Sequence, residues 1–152
     1  MTIAFVGHSH IYFRGKIEGV VKEQIIRNVT DFGNVVCYLG GYGDFDDICA
    51  CVCRNLKQEY DNVERIYVAP YMSIAQQKKI KKMQECGLCD TSIYPPIEGV
   101  PPRYSIVRRN EWIVKEADFI IAYVEHSWGG AYRALQIAKR EKKRIVNICD
   151  FL

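Results

Sequence analysis

Asp118-Phe119-Ile120-Ile121-Ala122-Tyr123-Val124-Glu125-His126-Ser127-Trp128-Gly129-Gly130 decides the fold. Its first half is a continuous apolar run. Its second half is a polar turn closed by two glycines at the head of a segment, Gly130 to Glu141, with helical periodicity. The same couplet recurs along the chain. Strands are predicted at Thr2 to Val6, Asn34 to Leu39, Arg65 to Ala69, Asp90 to Tyr94, Asp118 to Val124 and Arg144 to Ile148. Between them Ile17, Val20, Val21, Ile25 and Val29 recur at three- and four-residue steps, as do Phe45, Ile48, Cys49, Val52 and Leu56. Further helices are predicted at about Ile74 to Cys86 and Tyr104 to Ala117. This alternation is the signature of a doubly wound α/β sheet, mainly parallel, of about six strands, with right-handed crossovers placing helices on both faces.

The 152 residues, 49% apolar and 26% charged, fit one compact domain spanning 1–152. Tyr94 to Pro102 carries four of the five prolines and reads as a stiff rim loop rather than a linker. Met1 leads straight into Thr2-Ile3-Ala4-Phe5-Val6-Gly7, without the features of a signal peptide, and no run approaches the roughly 20 apolar residues of a membrane span. Seven cysteines in such a chain read as reduced thiols, which points to the cytoplasm. Cys49, Cys51 and Cys53, like the lone pair Cys86 and Cys89, lack metal-site spacing and read as packing residues. The excess of 21 basic over 18 acidic residues is small, and the basic runs at 78–82 and 139–144 read as solvated helix faces, so nucleic acid is not expected as a partner.

In a doubly wound sheet, ligands sit outside the carboxyl ends of the strands where strand order reverses. Three loops there are rich in glycine or polar residues: Gly7-His8-Ser9-His10, Gly40-Gly41-Tyr42-Gly43-Asp44-Phe45-Asp46-Asp47 and Glu125-His126-Ser127-Trp128-Gly129-Gly130. Glycine lets the backbone approach a ligand, and unpaired N–H groups at a helix start attract an anion, so phosphate is the natural guest. The second loop has neither the G-x-G-x-x-G spacing nor a Gly-Lys-Ser/Thr ending, which argues against dinucleotide binding and ATP hydrolysis.

At least one acid of that loop is expected to cap the helix behind it. Asp44 or Asp46 suits a ribose hydroxyl better than a phosphate, which a carboxylate repels. If the chain is an enzyme, Asp46, Asp47 and Glu125 are the catalytic candidates. Arg108-Arg109-Asn110 lies in a predicted helix where Ile106, Asn110, Ile113 and Ala117 share a face. That spacing turns Asn110 toward the sheet and leaves an arginine at its border, where the planar fork of Arg108 or Arg109 closes the anion site. Tyr42 and Trp128 offer aromatic faces to a base. His8, His10 and His126 have no short-spaced ligand companions, so no metal is expected, and no cofactor is called for.

Gly40-Gly41-Tyr42-Gly43 with Phe45-Asp46, then Arg109-Asn110 ahead of Ala117-Asp118-Phe119-Ile120-Ile121-Ala122-Tyr123, then Gly129-Gly130 and Arg144-Ile145-Val146-Asn147-Ile148, together resemble the SLOG superfamily. That group joins the Lonely Guy phosphoribohydrolases, the Rossmann domain of DNA-processing protein A, and many small bacterial or phage proteins. The resemblance covers nearly the whole chain and implies a Rossmann-like sheet. Gly7-His8 is similar to a Gly-His-Arg start, with Ser9 in place of the arginine.

Lonely Guy enzymes pair an arginine-bearing helix with a later Pro-Gly-Gly-x-Gly-Thr-x-x-Glu loop, whose glutamate does the N-glycosidic chemistry. By order along the chain, Arg108 or Arg109 matches the arginine and Gly129-Gly130 the glycines, but the glutamate position falls on Ala134 or Gln136. The resemblance thus carries over its binding half, and a homodimer is a further implication of it.

The expected function is binding of a nucleotide or a nucleotide-derived, phosphoribosyl-bearing ligand at the strand edge, as a sensor or sequestering module. Phosphate would lie on the Gly129-Gly130 helix start, within the loop that also offers Ser127, and the base on Tyr42 or Trp128. The alternatives are a nucleoside or nucleotide N-glycosidase, or a deoxyribosyltransferase-like enzyme, and a weak nucleic-acid interaction protein.

Overall fold

The computed structural model describes residues 1–12 and 14–152. Six parallel strands, β1 (Thr2–Gly7), β2 (Val35–Leu39), β3 (Val63–Val68), β4 (Thr91–Ile93), β5 (Phe119–Tyr123) and β6 (Arg144–Asn147), form one sheet in the order β4-β3-β2-β1-β5-β6. Five helices, α1 (Gly15–Phe32), α2 (Asp44–Lys57), α3 (Ile74–Glu85), α4 (Ser105–Glu116) and α5 (Gly130–Arg140), occupy the connections where helical periodicity predicts them. The sheet is parallel throughout. β4 is shorter than predicted because it pairs only with β3 at the edge and Asp90, ahead of it, is taken up by Arg65.

Side-chain alternation sorts the strands into two faces. Ile3 and Phe5 of β1 join Cys37, Leu39, Phe119 and Ile121 against Ile17, Val21 and Ile25 of α1, Phe45 and Ile48 of α2, and Ile80 of α3. Ala4 and Val6 join Ile120 and Ala122 against Ile113 and Val114 of α4 and Ala134, Leu135 and Ala138 of α5. A fully buried large side chain such as Phe45 contributes roughly 1.5–3 kcal/mol to holding these layers together. The second face is lined by alanine on both sheet and helix, which lets α5 lie close to β1 and β5.

The chain steps outward from β1 to β4, with α1 and α2 packed on one face, then crosses back so that β5 pairs with β1 on its other side. Right-handed crossovers in opposite directions put α4 and α5 on the opposite face. Strand order therefore reverses between β1 and β5, and the loops leaving those strands diverge. The proline-rich segment before α4 is irregular, pinned by buried Ile97, and ends in a 3₁₀ turn at Pro102–Tyr104. Among the described residues no helix is long and apolar enough to cross a membrane.

Candidate functional site

A crevice of about 360 Å³ opens at that reversal, between the loops after β1, β2 and β5 and the first turn of α5. Its lining includes Gly7, His8, Ser9 and His10 from the first loop, Gly40, Tyr42 and Asp46 from the second, and His126, Trp128, Gly129 and Gly130 from the third. Asn110, Ile113, Val114, Ala131 and Ala134 close it from the helices. The three loops singled out in the sequence thus converge on one cavity.

The helices behind the second and third loops start alike and differ in charge. Gly43 (φ 92°, ψ 173°) and Gly129 (φ 92°, ψ 179°) each hold the residue before the helix in a conformation that favours glycine, and neither helix has a side-chain cap. α2 carries Asp44, Asp46 and Asp47 in its first turn, so its partial positive charge is already answered from within the chain. α5 has no acid in its first turn. Its leading amides have no intrahelical acceptor, and Gly129, Gly130 and Ala131 around them line the crevice.

Three rings lead from the crevice to solvent. His8 stacks on His126 at 3.8 Å between centroids, and His126 on Trp128 at 3.7 Å, with interplanar angles of 12° and 15°. The outermost ring, Trp128, is 68% exposed. The stack is held from behind. His8 Nε2 accepts the Glu125 amide at 2.8 Å, which fixes this ring as the neutral Nδ1–H tautomer. His126 Nδ1 donates to the Trp128 carbonyl at 3.0 Å. Burial, and then the neighbouring His126, lower the pKa of His8. Asn147 anchors the start of the same loop by bonding both the amide and the carbonyl of Val124.

The acids divide in role. Asp44 is spent on its own chain: its carboxylate accepts the Ile11 amide at 2.8 Å and Arg14 Nη2 at 3.2 Å, and the Ile11 bond holds its pKa down. Asp46 lines the crevice, accepts the Tyr42 amide at 2.9 Å, and is pushed up to about 6 by burial against the opposing pull of that amide and Arg109. Asp47 is exposed, and exposed Glu125 receives the hydroxyl of Tyr123. Of the three candidate catalytic carboxylates, only Asp46 is among the crevice lining.

The arginines stand elsewhere than expected. Arg108 is exposed and pairs with Glu111 at 3.1 Å. Arg109, with none of its surface exposed, bonds the carbonyls of Gly40 at 2.8 Å and Val68 at 2.7 Å through Nη1, and Asn110 Oδ1 at 2.9 Å through Nε. The buried face of α4 is Ser105, Arg109, Ile113 and Val114, so the guanidinium rather than the Asn110 amide points under the loops. Neither guanidinium belongs to the crevice lining. Gly41, Gly43 and Ser127 are also outside it, and Gly41 lies against Tyr67, with which any side chain there would collide. The anchoring by Arg109 and Asn147 is not legible in the sequence, where His126 suggests a metal or acid–base role rather than a stacking one. Its placement two residues before Trp128 in a strand-end loop was the one available signal.

No family model and no curated protein matches the sequence significantly. Solved structures do match by shape, among them two of DNA processing protein A. One is DNA processing protein A from Helicobacter pylori, described for its single-stranded DNA binding mode, with a TM-score of 0.58 at 17% identity over 95% of this chain and 63% of that one. The other is DNA processing protein A from Streptococcus pneumoniae, with a TM-score of 0.63 at 16% identity over 95% of this chain and 48% of that one.

The chain shares the fold of DNA processing protein A. The likeness is one of fold, over less than two thirds of either protein's length. One expectation is corrected. The small excess of basic residues argues against nucleic acid, yet the DNA processing protein A from Helicobacter pylori, of this same fold, binds single-stranded DNA. A sum over the whole surface misses the local cations and aromatic faces on which single strands are held.

Proposed function

We propose that the crevice takes a nucleotide unit of single-stranded DNA. A base stacks on the exposed face of Trp128, and the adjoining phosphate meets the free amides at the start of α5. The observation that carries this reading is the ring stack: Trp128 is held flat at 3.7 Å on His126 while 68% exposed, an arrangement that leaves an aromatic platform ordered yet open. The acid-free first turn of α5 beside it and the fold shared with a single-stranded DNA binder support the same reading. Aromatic stacking accepts any base, which suits a site with few side chains arranged to read base edges.

Tryptophan fluorescence tests this directly. Trp112 lies on α4 beside Tyr38, so a Trp112→Phe background leaves Trp128 as the only indole. Oligothymidylate is expected to quench it saturably, with affinity that falls as salt rises. Trp128→Ala is expected to lower affinity by about 1–3 kcal/mol in an anisotropy assay. Absence of saturable quenching by any oligonucleotide would overturn the reading. Equal affinity for a mononucleotide and an oligomer would favour a small nucleotide ligand instead.

One observation favours a second reading, cleavage of an N-glycosidic bond. Asp46 stands in the crevice with a pKa of about 6, suited to an acid or base near neutrality. Free base released from a nucleotide panel by the wild type and not by Asp46→Asn would support it.

A further inference from the structure

The wall of the crevice facing away from Trp128 leads onto a feature that the proposed contact leaves unused. Tyr42, 40% exposed, lines the crevice, and its hydroxyl bonds that of Tyr71 at 2.8 Å. Lys79, on α3, stands with its ammonium 5.0 Å from the centre of the Tyr42 ring and donates to the Gly41 carbonyl at 3.3 Å.

This cluster is mounted on a rigid base. Gly41 lies so close to Tyr67 that a β-carbon there would come within 2.8 Å of the ring. Tyr67 itself is fully buried, with its hydroxyl accepting from Gln76 Nε2 at 2.5 Å. Gln76 and Lys79 share α3, so the loop that presents Tyr42 and the helix that presents Lys79 are tied together through one buried ring. α3 also exposes Lys78, Lys81 and Lys82 and has no acid in its first turn. Among the described residues, none of these four lysines takes part in an ion pair.

A tyrosine ring 40% exposed, an ammonium lying over it and unpaired cations beyond combine what holds a single strand: π-surface for a base and positive charge for the phosphodiesters on either side. We infer that Tyr42, Tyr71 and Lys79 form a second nucleotide platform, so that the strand crosses the crevice from Trp128 to α3 and the site takes two or more linked nucleotides. This rests on the reading that the crevice binds single-stranded DNA. It adds the direction of the strand and a requirement for more than one nucleotide.

The test is a length series of mono-, di- and tetrathymidylate titrated against Trp128 fluorescence in the Trp112→Phe background. In the wild-type site the dinucleotide is expected to bind roughly five- to a hundred-fold more tightly than the mononucleotide, the gain from one further stacked base. Lys79→Gln, a substitution of an exposed side chain that leaves the core intact, is expected to shrink that ratio and to lower the salt slope for the tetranucleotide. Tyr71→Ala is expected to shrink the ratio as well. If mononucleotide and dinucleotide bind alike while tetrathymidylate binds more tightly, or the ratio survives in both variants, the second platform is refuted while the single-stranded DNA reading stands; if all three lengths bind alike, both give way to a small nucleotide ligand. If no length quenches Trp128, both fall together.

Discussion

Arg109 reaches across 69 positions of sequence to donate from Nη1 to the carbonyl of Gly40 at 2.8 Å, with none of its own surface exposed. The same nitrogen holds the Val68 carbonyl, so one cation ties together the ends of β2 and β3 beneath the glycine loop. Burial lowers the pKa of Arg109, opposed chiefly by Tyr67 and Asp46 nearby. The guanidinium acts here as a staple for backbone acceptors that would otherwise be buried without donors.

Arg109→Met removes that staple and leaves two carbonyls unpaired. The expected loss is about 3 kcal/mol of unfolding free energy, read from urea denaturation. A direct phosphate clamp would behave differently, weakening ligand binding while sparing stability. Near-wild-type stability in this variant would contradict the stapling role.

Asp46→Asn tests the buried carboxyl. Its folded pKa of about 6 lies above the unfolded value, so the folded state binds the extra proton between about pH 4 and 6. Stability is therefore expected to fall as pH rises through that window and to remain lower above it. Asparagine still accepts the Tyr42 amide bond but cannot ionise. It should flatten that part of the profile and stabilise the protein at pH 8 by about 2 kcal/mol, allowing for partial exposure. Binding of oligothymidylate at pH 8 should also tighten, since a carboxylate facing phosphate is removed. Superimposable pH profiles for the two proteins would sink this assignment.

His8→Phe keeps a flat ring but cannot accept the Glu125 amide. The loop carrying His126 and Trp128 should loosen, raising acrylamide quenching of Trp128 in the Trp112→Phe background. In the wild type the folded pKa of His8 is depressed below the unfolded value of about 6.5, so this tether is fully present above that value and is lost as pH falls through the lower folded one. Accessibility that rises on acidification in wild type, and is high at every pH in His8→Phe, is the expected pattern. An acid response unchanged in the variant would assign it to another group.

Two glycines should answer alanine in opposite directions. A β-carbon at Gly7 would sit 2.2 Å from Cδ1 of buried Phe45, so Gly7→Ala forces α2 away from β1 and should cost roughly 3 kcal/mol or more. Gly19, exposed within α1, has nothing within 4 Å of that position. Gly19→Ala should raise stability by about 0.5–1 kcal/mol. Thermal unfolding of the two variants beside wild type checks both signs.

Architecture was open to reading in the linear pattern because it rests on periodicities a few residues long. The apolar run Phe119-Ile120-Ile121-Ala122-Tyr123 and the stepped Ile17, Val21 and Ile25 declare strand and helix locally, and crossover handedness then limits how they assemble. The convergence of the loops holding Gly7, Gly40 and Gly129 on one crevice followed from that architecture.

The positions and partners of the crevice residues are decided only in three dimensions. Spacing alone turns Asn110 inward, because it shares the apolar stripe of Ile106, Ile113 and Ala117. Arg109 is the buried residue, since the carbonyls of Gly40 and Val68, distant in sequence, wait there as partners. Asp44 and Asp46 are two positions apart, yet one is consumed by Ile11 and Arg14 while the other faces the cavity. The stacking of His8 on His126 joins loops after β1 and β5. A side chain's chemistry depends on neighbours that the folded sheet brings from far along the chain, and local periodicity does not encode which neighbours those are.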